Sequence, residues 1–571
     1  MGQRILIVSN FFPPDTIGGA EIVAFRQARA LATRGHTLTV LAGAQPSTRV
    51  PYGTLSFDVY EGIPVYRLAL RSMDPNLNFH WPAAAARLRA VIKACDIQLV
   101  HFHNVVGMGA NLISEAKAAA GRCLITLHDH WGFCFQQTRL RTDGTVCENH
   151  EECAQCRDHV KPTANVALPM RLRRDYVMWC LNQADRLLVP SSYLAFAYTQ
   201  AGISATRMTV LSNGIELSLF PSTRKEPSPD GKVRFLWSGY LGEHKGIMIL
   251  LHALEKLSED ETLRGRWQIT IAGDGHLRSK VEAGLAALKL KDDARFVGRL
   301  PRTDLLDLLR GIDVMVLTSV WPENEPVTLL EAIASGTAQI ATRIGGNVGL
   351  VENMKSGFLV PPGDVSELAG AMRGYIVDPA LAAVHGNYNS DRRAGFDEVH
   401  TIDNLESILA SIEIAAENSA QPVLPTEPVI QCGMAWPPTE VTTMLNRVHD
   451  HLLPGMTPRF IWHEWTDLAT WRDTVLLWLW DSEPSERLFD NAMRRGIPVL
   501  APVTDRTTAL ARHYGGVILY RTYLEALATL RILLSIPTLR TEFSACARAS
   551  ASSATALAPR ELFSLRSGSL S

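Results

Sequence analysis

Short apolar runs that end in glycine recur along this chain, and they restrict its fold more than any other feature. Val233-Arg-Phe-Leu-Trp237 leads into Ser238-Gly239, and Gln268-Ile-Thr-Ile-Ala272 into Gly273-Asp-Gly275. Arg295-Phe-Val297 leads into Gly298-Arg299, and Gln339-Ile-Ala341 into Gly345-Gly346. Continuous apolar runs of this length read as strands covered on both faces of a parallel sheet. Glycine at the end lets the backbone turn tightly or lie close to a ligand. Ligands of open α/β sheets bind at those ends. An earlier set follows the same order: Arg4-Ile-Leu-Ile-Val8, Gly18-Gly-Ala-Glu21, a helix from Ile22 to Thr33, then Thr37-Leu-Thr-Val-Leu41. Leu99-Val-His-Phe-His103, Cys123-Leu-Ile-Thr-Leu127 and Arg186-Leu-Leu-Val189 continue it. The expected fold class is α/β, with open sheets covered on both faces.

The stretch Trp321-Pro-Glu-Asn-Glu-Pro-Val-Thr-Leu-Leu-Glu-Ala-Ile-Ala-Ser-Gly336 carries the most chemistry. It follows the strand-like run Asp313-Val-Met-Val-Leu-Thr318. Pro326 suits a first helical position, and Leu329, Leu330, Ile333 and Ala334 give a helical apolar face. The amides of Val327, Thr328 and Leu329 would then form an anion site. Glu323 and Glu331 flank and enter the same helix. A phosphate seat beside carboxylates that can accept from hydroxyls fits a nucleotide-sugar. Two helix-start glutamates favoured by the helix dipole are the plainer reading.

Composition excludes several classes. A hydrophobic fraction of 46% over 571 residues supports large cores, and a net charge of -2 argues against a general nucleic-acid binder. No uninterrupted apolar run is long enough to span a bilayer. Met1-Gly-Gln-Arg-Ile-Leu-Ile-Val-Ser turns at once into a strand and lacks the regions of a signal peptide, so a cytoplasmic location is expected. Nine cysteines then read as thiols or a metal site rather than disulfides.

Past residue 428 a third unit reads as a repeat of the second. Asp313-Val-Met-Val-Leu parallels Asp473-Thr-Val-Leu-Leu, Gln339-Ile-Ala parallels Val499-Leu-Ala, and Gly357-Phe-Leu-Val parallels Gly516-Val-Ile-Leu. In that register Glu323 faces Glu483 but Glu331 faces Asn491, and Gln431-Cys-Gly-Met-Ala-Trp436 replaces a glycine-rich loop. The expected reading is a nucleotide-binding half whose site has decayed, although any two parallel α/β units share this much.

Roughly the first 415 residues resemble retaining glycosyltransferases of family 4, whose GT-B fold faces two Rossmann-like domains across a cleft. The matching motifs stand in the family's order. They are Phe11-Phe-Pro-Pro-Asp15 with Gly18-Gly-Ala-Glu21, His128-Asp-His-Trp131, Asn213-Gly-Ile-Glu216, Gly239 to Lys245-Gly246, Ala272-Gly-Asp-Gly275, Glu323 with Glu331 in E-x(7)-E spacing, and Gly357-Phe-Leu-Val-Pro-Pro-Gly-Asp364. The domains are then expected at 1–222 (acceptor side), 223–395 (nucleotide-sugar side) and 396–416 (a helix returning to the first domain). A linker at 417–428, a degenerate Rossmann-like unit at 429–548 and a disordered tail at 549–571 complete the division.

The resemblance implies a hexosyltransferase that uses a nucleotide-sugar and a glycan or lipid-linked acceptor, with no cofactor required for catalysis. It assigns Glu323 to the donor sugar near the reacting carbon, Glu331 to the ribose hydroxyls, Lys245 to the diphosphate and His128 to the sugar from across the cleft. Val327, Thr328, Gly239, Arg299, Gly18 and Gly19 are the further donor-side candidates. It also implies retention by front-face attack, with the leaving phosphate taking the acceptor proton. The family's arginine in the first glycine loop is Tyr240 here, which removes a bidentate phosphate ligand; Arg299 and Arg343 are candidates to compensate. That loss also admits a non-catalytic nucleotide-sugar or glycan-binding scaffold. His101 and His103 alternate on a strand and are not assigned a role. No D-x-D pair follows a strand, so a catalytic divalent ion is not implied.

Cys134, Cys147, Cys153 and Cys156 fall in one polar segment. Cys153-Ala-Gln-Cys156 has zinc-knuckle spacing, with His150 and His159 as alternative ligands, and structural zinc stands level with ordinary thiols. Met170-Arg-Leu-Arg-Arg-Asp-Tyr176 reads either as a solvated helix face or as a basic contact with the inner face of an anionic membrane. The third unit is a candidate to bind a protein partner or brace a dimer.

Overall fold

The computed structural model describes residues 2–412 except 16–17, 47–49, 71–79, 149–152, 158, 161–167, 221–223, 289 and 291–292. Beyond 412 it describes 429–433, 459–462, 474–479, 492–495, 497–502, 507 and 517–520. The expected linker and tail, and the positions Glu483 and Asn491, lie outside the described residues.

The first lobe contains strands β1 (Arg4–Ser9), β2 (Thr37–Ala44), β3 (Leu55–Tyr60), β4 (Ile63–Ala69), β5 (Leu99–Phe102) and β6 (Cys123–Thr126), a short ribbon β7 (His159–Val160) and β8 (Leu168–Pro169), then β9 (Arg186–Val189) and β10 (Met208–Val210). Its main sheet runs β10-β9-β6-β5-β1-β2-β4-β3, parallel except for the β3–β4 hairpin. Val59 and Phe57 of edge strand β3 are exposed, whereas β1 and β5 are buried from Ile5 and Leu99 onward. A central parallel strand is covered on both faces, so both its alternating sets of side chains must be apolar.

The second lobe holds β11 (Val233–Ser238), β12 (Trp267–Ala272), β13 (Ala294–Gly298), β14 (Val314–Leu317), β15 (Ala338–Thr342) and β16 (Gly357–Val360). All are parallel, in the order β13-β12-β11-β14-β15-β16. Chain order reverses between β11 and β14, and a ligand crevice opens at such a switch point.

Two connections fix the lobes to each other. Ile215 pairs with Asp397, its amide donating to Phe396 O at 2.8 Å, while Glu398 N donates to Ile215 O at 2.9 Å. The helix Glu398–Ser411 then returns to the first lobe, where Ile402, Leu405 and Leu409 join the cluster around Ile5, Ile7 and Val40. Asp397 caps that helix by accepting from Val399 N. Arg26 forms an ion pair with Glu398.

A third, five-stranded parallel sheet runs β18 (Arg459–Trp462), β17 (Val429–Gly433), β19 (Thr474–Leu479), β20 (Val499–Pro502), β21 (Val517–Tyr520). In chain order this is 2-1-3-4-5, the order the second sheet has once its edge strand β13 is set aside. Leu500 and Ile518 of this sheet enter the core of the first lobe.

Candidate active site in the cleft between the lobes

β14 ends at Leu317, and the chain then delivers Thr318, Ser319, Trp321 and Glu323 over the switch point. Glu323 is 5% exposed, and one of its oxygens gathers three donors. Lys245 Nζ lies 2.5 Å away, Ser319 Oγ 2.6 Å and Trp321 Nε1 2.8 Å. Lys245 also stands 5.0 Å from the centroid of the Trp321 ring, within cation–π reach. The loop carrying Lys245 can approach this closely because of Gly246. Its φ is +66°, and a Cβ there would fall 2.0 Å from Thr318 O. A second close approach fixes the other side of Glu323: a Cβ on Gly346 would stand 1.6 Å from Asn324 O.

The helix Val327–Ala334 starts one residue later than the sequence suggests. Pro326 is its N-cap, with ψ 123°, and Leu329 N donates to Pro326 O at 3.0 Å. The anion site at this helix start therefore rests on the amides of Val327 and Thr328, without that of Leu329. Glu331, 2% exposed, forms an ion pair with Arg302, which opens the helix Arg302–Arg310 of the neighbouring βα unit. Both carboxylates are thus buried, and each is capped by a cation that reaches solvent.

Beside them lies an open cavity of about 720 Å³ at the ends of β11, β12 and β13. Gly239, Tyr240, Gly273, His276 and Arg299 line it. Tyr240 is 51% exposed, with its hydroxyl 3.3 Å from His276 Nδ1. Arg299 faces this cavity. Arg343 donates from its guanidinium to Leu359 O at 3.0 Å.

The first lobe closes the cleft from the other side. Asn324 Nδ2 donates to His128 O at 2.6 Å, and the His130 ring meets the Trp321 ring edge-on at 6.5 Å. Gly19 begins the helix Gly19–Thr33, and a Cβ on it would stand 3.4 Å from Val327 Cγ2, across the cleft. Gly18 N donates to Glu21 Oε2 at 2.8 Å, so a buried glutamate fixes that loop.

His128 follows β6, and His103 follows β5, the adjacent strand. His103 Nδ1 and His128 Nε2 are 2.9 Å apart with near-parallel rings. His101 and His103 share a strand face, as positions two apart must, and their ring centroids are 4.4 Å apart. His101 Nε2 is held by Thr126 Oγ1 at 2.8 Å. Desolvation lowers His128 to about 4 and His101 to about 3, and pushes His103 well below its usual value. The row is neutral at ordinary pH. Asp129 is raised to about 7 by desolvation and accepts from Trp131 N at 2.7 Å. Glu325 is also raised to about 7 by burial, and receives Asn213 N at 2.6 Å.

Glu323, Lys245, Glu331, Val327, Thr328, Gly19 and His128 therefore gather around one cleft, with Gly239 and Arg299 in the adjoining cavity. Sequence reasoning missed Ser319, Asn324, Arg302 and His103. Ser319 and Asn324 were legible as polar neighbours of Glu323 at a strand end. The His-Phe-His run at the end of β5 was the signal for His103. Arg302 gave no signal, because its contact joins two helices 29 positions apart. The basic stretch from Met170 does not form one exposed face: Arg173 is 1% exposed and Tyr176 is buried. Among the described residues no helix is long and apolar enough to cross a membrane.

The two lobes match two family models in succession. "Glycosyltransferase Family 4" matches residues 17–219, and "Glycosyl transferases group 1" matches residues 221–392. Together with the two facing sheets, they define a GT-B glycosyltransferase, and the chain belongs to that class. Among relatives, a glycogen synthase of Mycobacterium tuberculosis is 27% identical over 450 residues, 75% of this chain and 99% of that protein. The amylovoran biosynthesis glycosyltransferase AmsK of Erwinia amylovora is 26% identical over 285 residues, 49% of this chain and 61% of that protein. Among solved structures, sucrose-phosphate synthase from Thermosynechococcus elongatus superposes with a TM-score of 0.56 at 19% identity, covering 72% of this chain and 98% of its own. Anabaena HepE in complex with UDP and glucose gives 0.53 at 20% identity, covering 72% and 100%. These two likenesses concern the fold.

Proposed function

We propose that this protein is a retaining glycosyltransferase that moves a hexose from a nucleotide-sugar to a glycan or lipid-linked acceptor. One observation carries the reading. A buried carboxylate, Glu323, and its lysine, Lys245, sit beside a helix start on one lobe, and the next residue, Asn324, donates to the backbone oxygen of His128 on the other.

Breaking the anomeric bond of a nucleotide-sugar leaves negative charge on the departing diphosphate and positive charge on the sugar ring. Lys245 and the amides of Val327 and Thr328 would meet the diphosphate. Glu331 would accept from the vicinal ribose hydroxyls once Arg302 is displaced. Glu323, clamped by Ser319 and Trp321, would face the sugar near the reacting carbon. His128 would reach the sugar as an imidazole. A neutral ring does not repel the developing cation, as an imidazolium would. Front-face attack, with the leaving phosphate accepting the acceptor proton, would retain the anomeric configuration. Tyr240 would give the diphosphate one hydroxyl where an arginine would give two N–H bonds. Any contact with an anionic membrane would be peripheral, on a lobe whose Arg173 is already buried.

The test is a panel of UDP-, ADP- and GDP-linked hexoses offered to the full chain, with release of the nucleoside diphosphate as readout. Slow donor hydrolysis is expected with one of them, abolished by Glu323→Ala and by Lys245→Ala, with the transferred sugar keeping its anomeric configuration by NMR. Binding of a donor without turnover of any would instead establish a non-catalytic nucleotide-sugar scaffold, the outcome that Tyr240 makes worth testing.

A further inference from the structure

Cys134, Cys147, Cys153 and Cys156 converge on one apolar cavity of the first lobe, shared with Phe135 and Met170. Three separate pieces of backbone bring them there. Cys134 ends the turn after the His128 motif, its amide donating to His130 O at 2.7 Å. Cys147 closes a hairpin in which Leu140 pairs with Val146, and Cys147 N donates to Arg139 O at 2.6 Å. Cys153 and Cys156 bracket a single helical turn, and positions three apart share a helix face. A hairpin and a helical turn that bring four cysteines to the lining of one cavity supply the ligand type and number of a tetrahedral thiolate site.

The sulfurs are near one another. Cys134 lies in electrostatic range of Cys147 and Cys153, and Cys153 in range of Cys147 and Cys156.

A second observation is independent of the cysteines. Arg173 is 1% exposed and lies over Phe135, 5.9 Å from the ring centroid. Its Nη2 donates to Trp131 O at 3.4 Å, but its Nε and Nη1 have no hydrogen-bond partner. Its electrostatic neighbours are Cys134, Cys153, Tyr198 and Asp129. Asp129 is the one carboxyl among these neighbours, and desolvation raises it to about 7, so the buried guanidinium lacks a fully ionised partner. Four thiols offer no charge, whereas four thiolates around a divalent zinc leave two net negative charges beside it.

We propose that Cys134, Cys147, Cys153 and Cys156 bind a structural zinc ion, with Arg173 as the buried counter-charge. Among the described residues no three such ligands already stand in metal-holding geometry, so binding would require the four cysteine side chains to move together and to release their protons. The bound ion would tie the loop after β6 to the hairpin and to the Cys153–Cys156 turn, beside Arg173 of the helix Met170–Gln183. The same loop orients His130, whose Nδ1 contacts Gln137 O at 3.0 Å and whose Nε2 contacts Tyr193 OH at 3.0 Å. Arg139 donates to that same hydroxyl at 3.1 Å. The knot thus braces the acceptor-side wall of the cleft.

The experiment is elemental analysis of the full chain, purified from zinc-supplemented cells without chelator. About one zinc per chain is expected, released in step with titration of four thiols by an organomercurial. The pair Cys153→Ser with Cys156→Ser should lose it, while Cys95→Ser should keep it. Should the double variant not fold, cobalt-substituted wild-type protein gives the answer through the thiolate charge-transfer and ligand-field bands of a tetrahedral sulfur site. Metal-free wild-type protein that also fails to show those bands with cobalt, zinc kept by the Cys153→Ser/Cys156→Ser pair, or two disulfides found by peptide mapping would each overturn the proposal.

Discussion

The two walls of the cleft are built on opposite electrical plans. On the second lobe, formal charges are paired: Glu323 with Lys245, and Glu331 with Arg302. On the first lobe, desolvation disfavours the charged forms of the polar groups, with His128 lowered to about 4 and Asp129 raised to about 7. The difference matches what each wall would meet. A leaving diphosphate needs fixed cations and amides, while a sugar ring gaining positive charge is best faced by dipoles that carry no positive charge of their own. The walls also differ in their dependence on the medium. Paired charges near solvent respond to salt, and buried neutral histidines respond to acid.

The largest effect should come from the charged wall. Lys245→Ala removes the cation nearest the expected phosphate, and kcat should fall by about 10²–10³-fold, the range for loss of one preorganised transition-state contact. His128→Asn, which keeps a neutral polar group, should cost about tenfold or less in the same donor-hydrolysis assay. Equal losses for the two variants would break the comparison, because His128 would then be acting through a proton or a charge.

Acid should separate the lobes next. Desolvation depresses His80, His101, His103, His128 and His130, all in the first lobe. Each binds its proton less readily folded than unfolded, so each contributes stability above its unfolded value near 6.5 that is lost as pH falls toward the folded value. Asp129 has the opposite sign. Raised to about 7, it holds its proton more tightly when folded, and its contribution is lost as pH rises from about 4 to 7. Five histidines against one carboxyl leave a first lobe that weakens below pH about 6. In the second lobe His244 and His385 are lowered while Glu325 is raised to about 7, which leaves a smaller imbalance. Amide exchange read peptide by peptide should therefore show the first lobe losing protection between pH 7 and pH 5 before the second does. Equal loss in both lobes would contradict the assignment of neutral histidines to one wall.

The same contrast explains what the sequence made legible. The two glutamates of the charged wall lie on one continuous stretch, Ser319 to Glu331, so spacing brought Glu323 and Glu331 together, while Lys245, in a glycine-flanked loop, joined them through the family resemblance. Strand ends in glycine likewise exposed the strands of the second lobe, though not their order in the sheet. The neutral wall is assembled from residues on adjacent strands, His103 and His128, whose meeting depends on which strands become neighbours. Its defining property is desolvation, which no local pattern records. Arg302 was invisible for a related reason: its pairing with Glu331 is set by how two helices pack. The one-residue error at Pro326 has a local cause, since proline fits both an N-cap and a first helical turn.

Glu331→Ala should act mainly on donor binding. It removes a charged acceptor for two hydroxyls, so the donor KM should rise about 10- to 100-fold with a smaller change in kcat. A fall in kcat with KM unchanged would move Glu331 from the ribose to the reacting end of the donor.

The smallest effect tests how the charged wall opens. Arg302 is about half exposed while Glu331 is almost fully buried, so the ion pair is screened on one side only. If a ribose is to take the carboxylate, the guanidinium must leave it, and that displacement is a cost the donor bears on binding. Arg302→Ala removes the competitor. Donor affinity by calorimetry should improve about two- to threefold, less than a buried pair would suggest because water replaces part of the contact. In a Glu331→Ala background the same substitution should do nothing, since the two residues would act as one unit. A tenfold or greater loss of affinity in Arg302→Ala would reverse the reading, because Arg302 would then be a ligand of the nucleotide rather than a plug that it displaces.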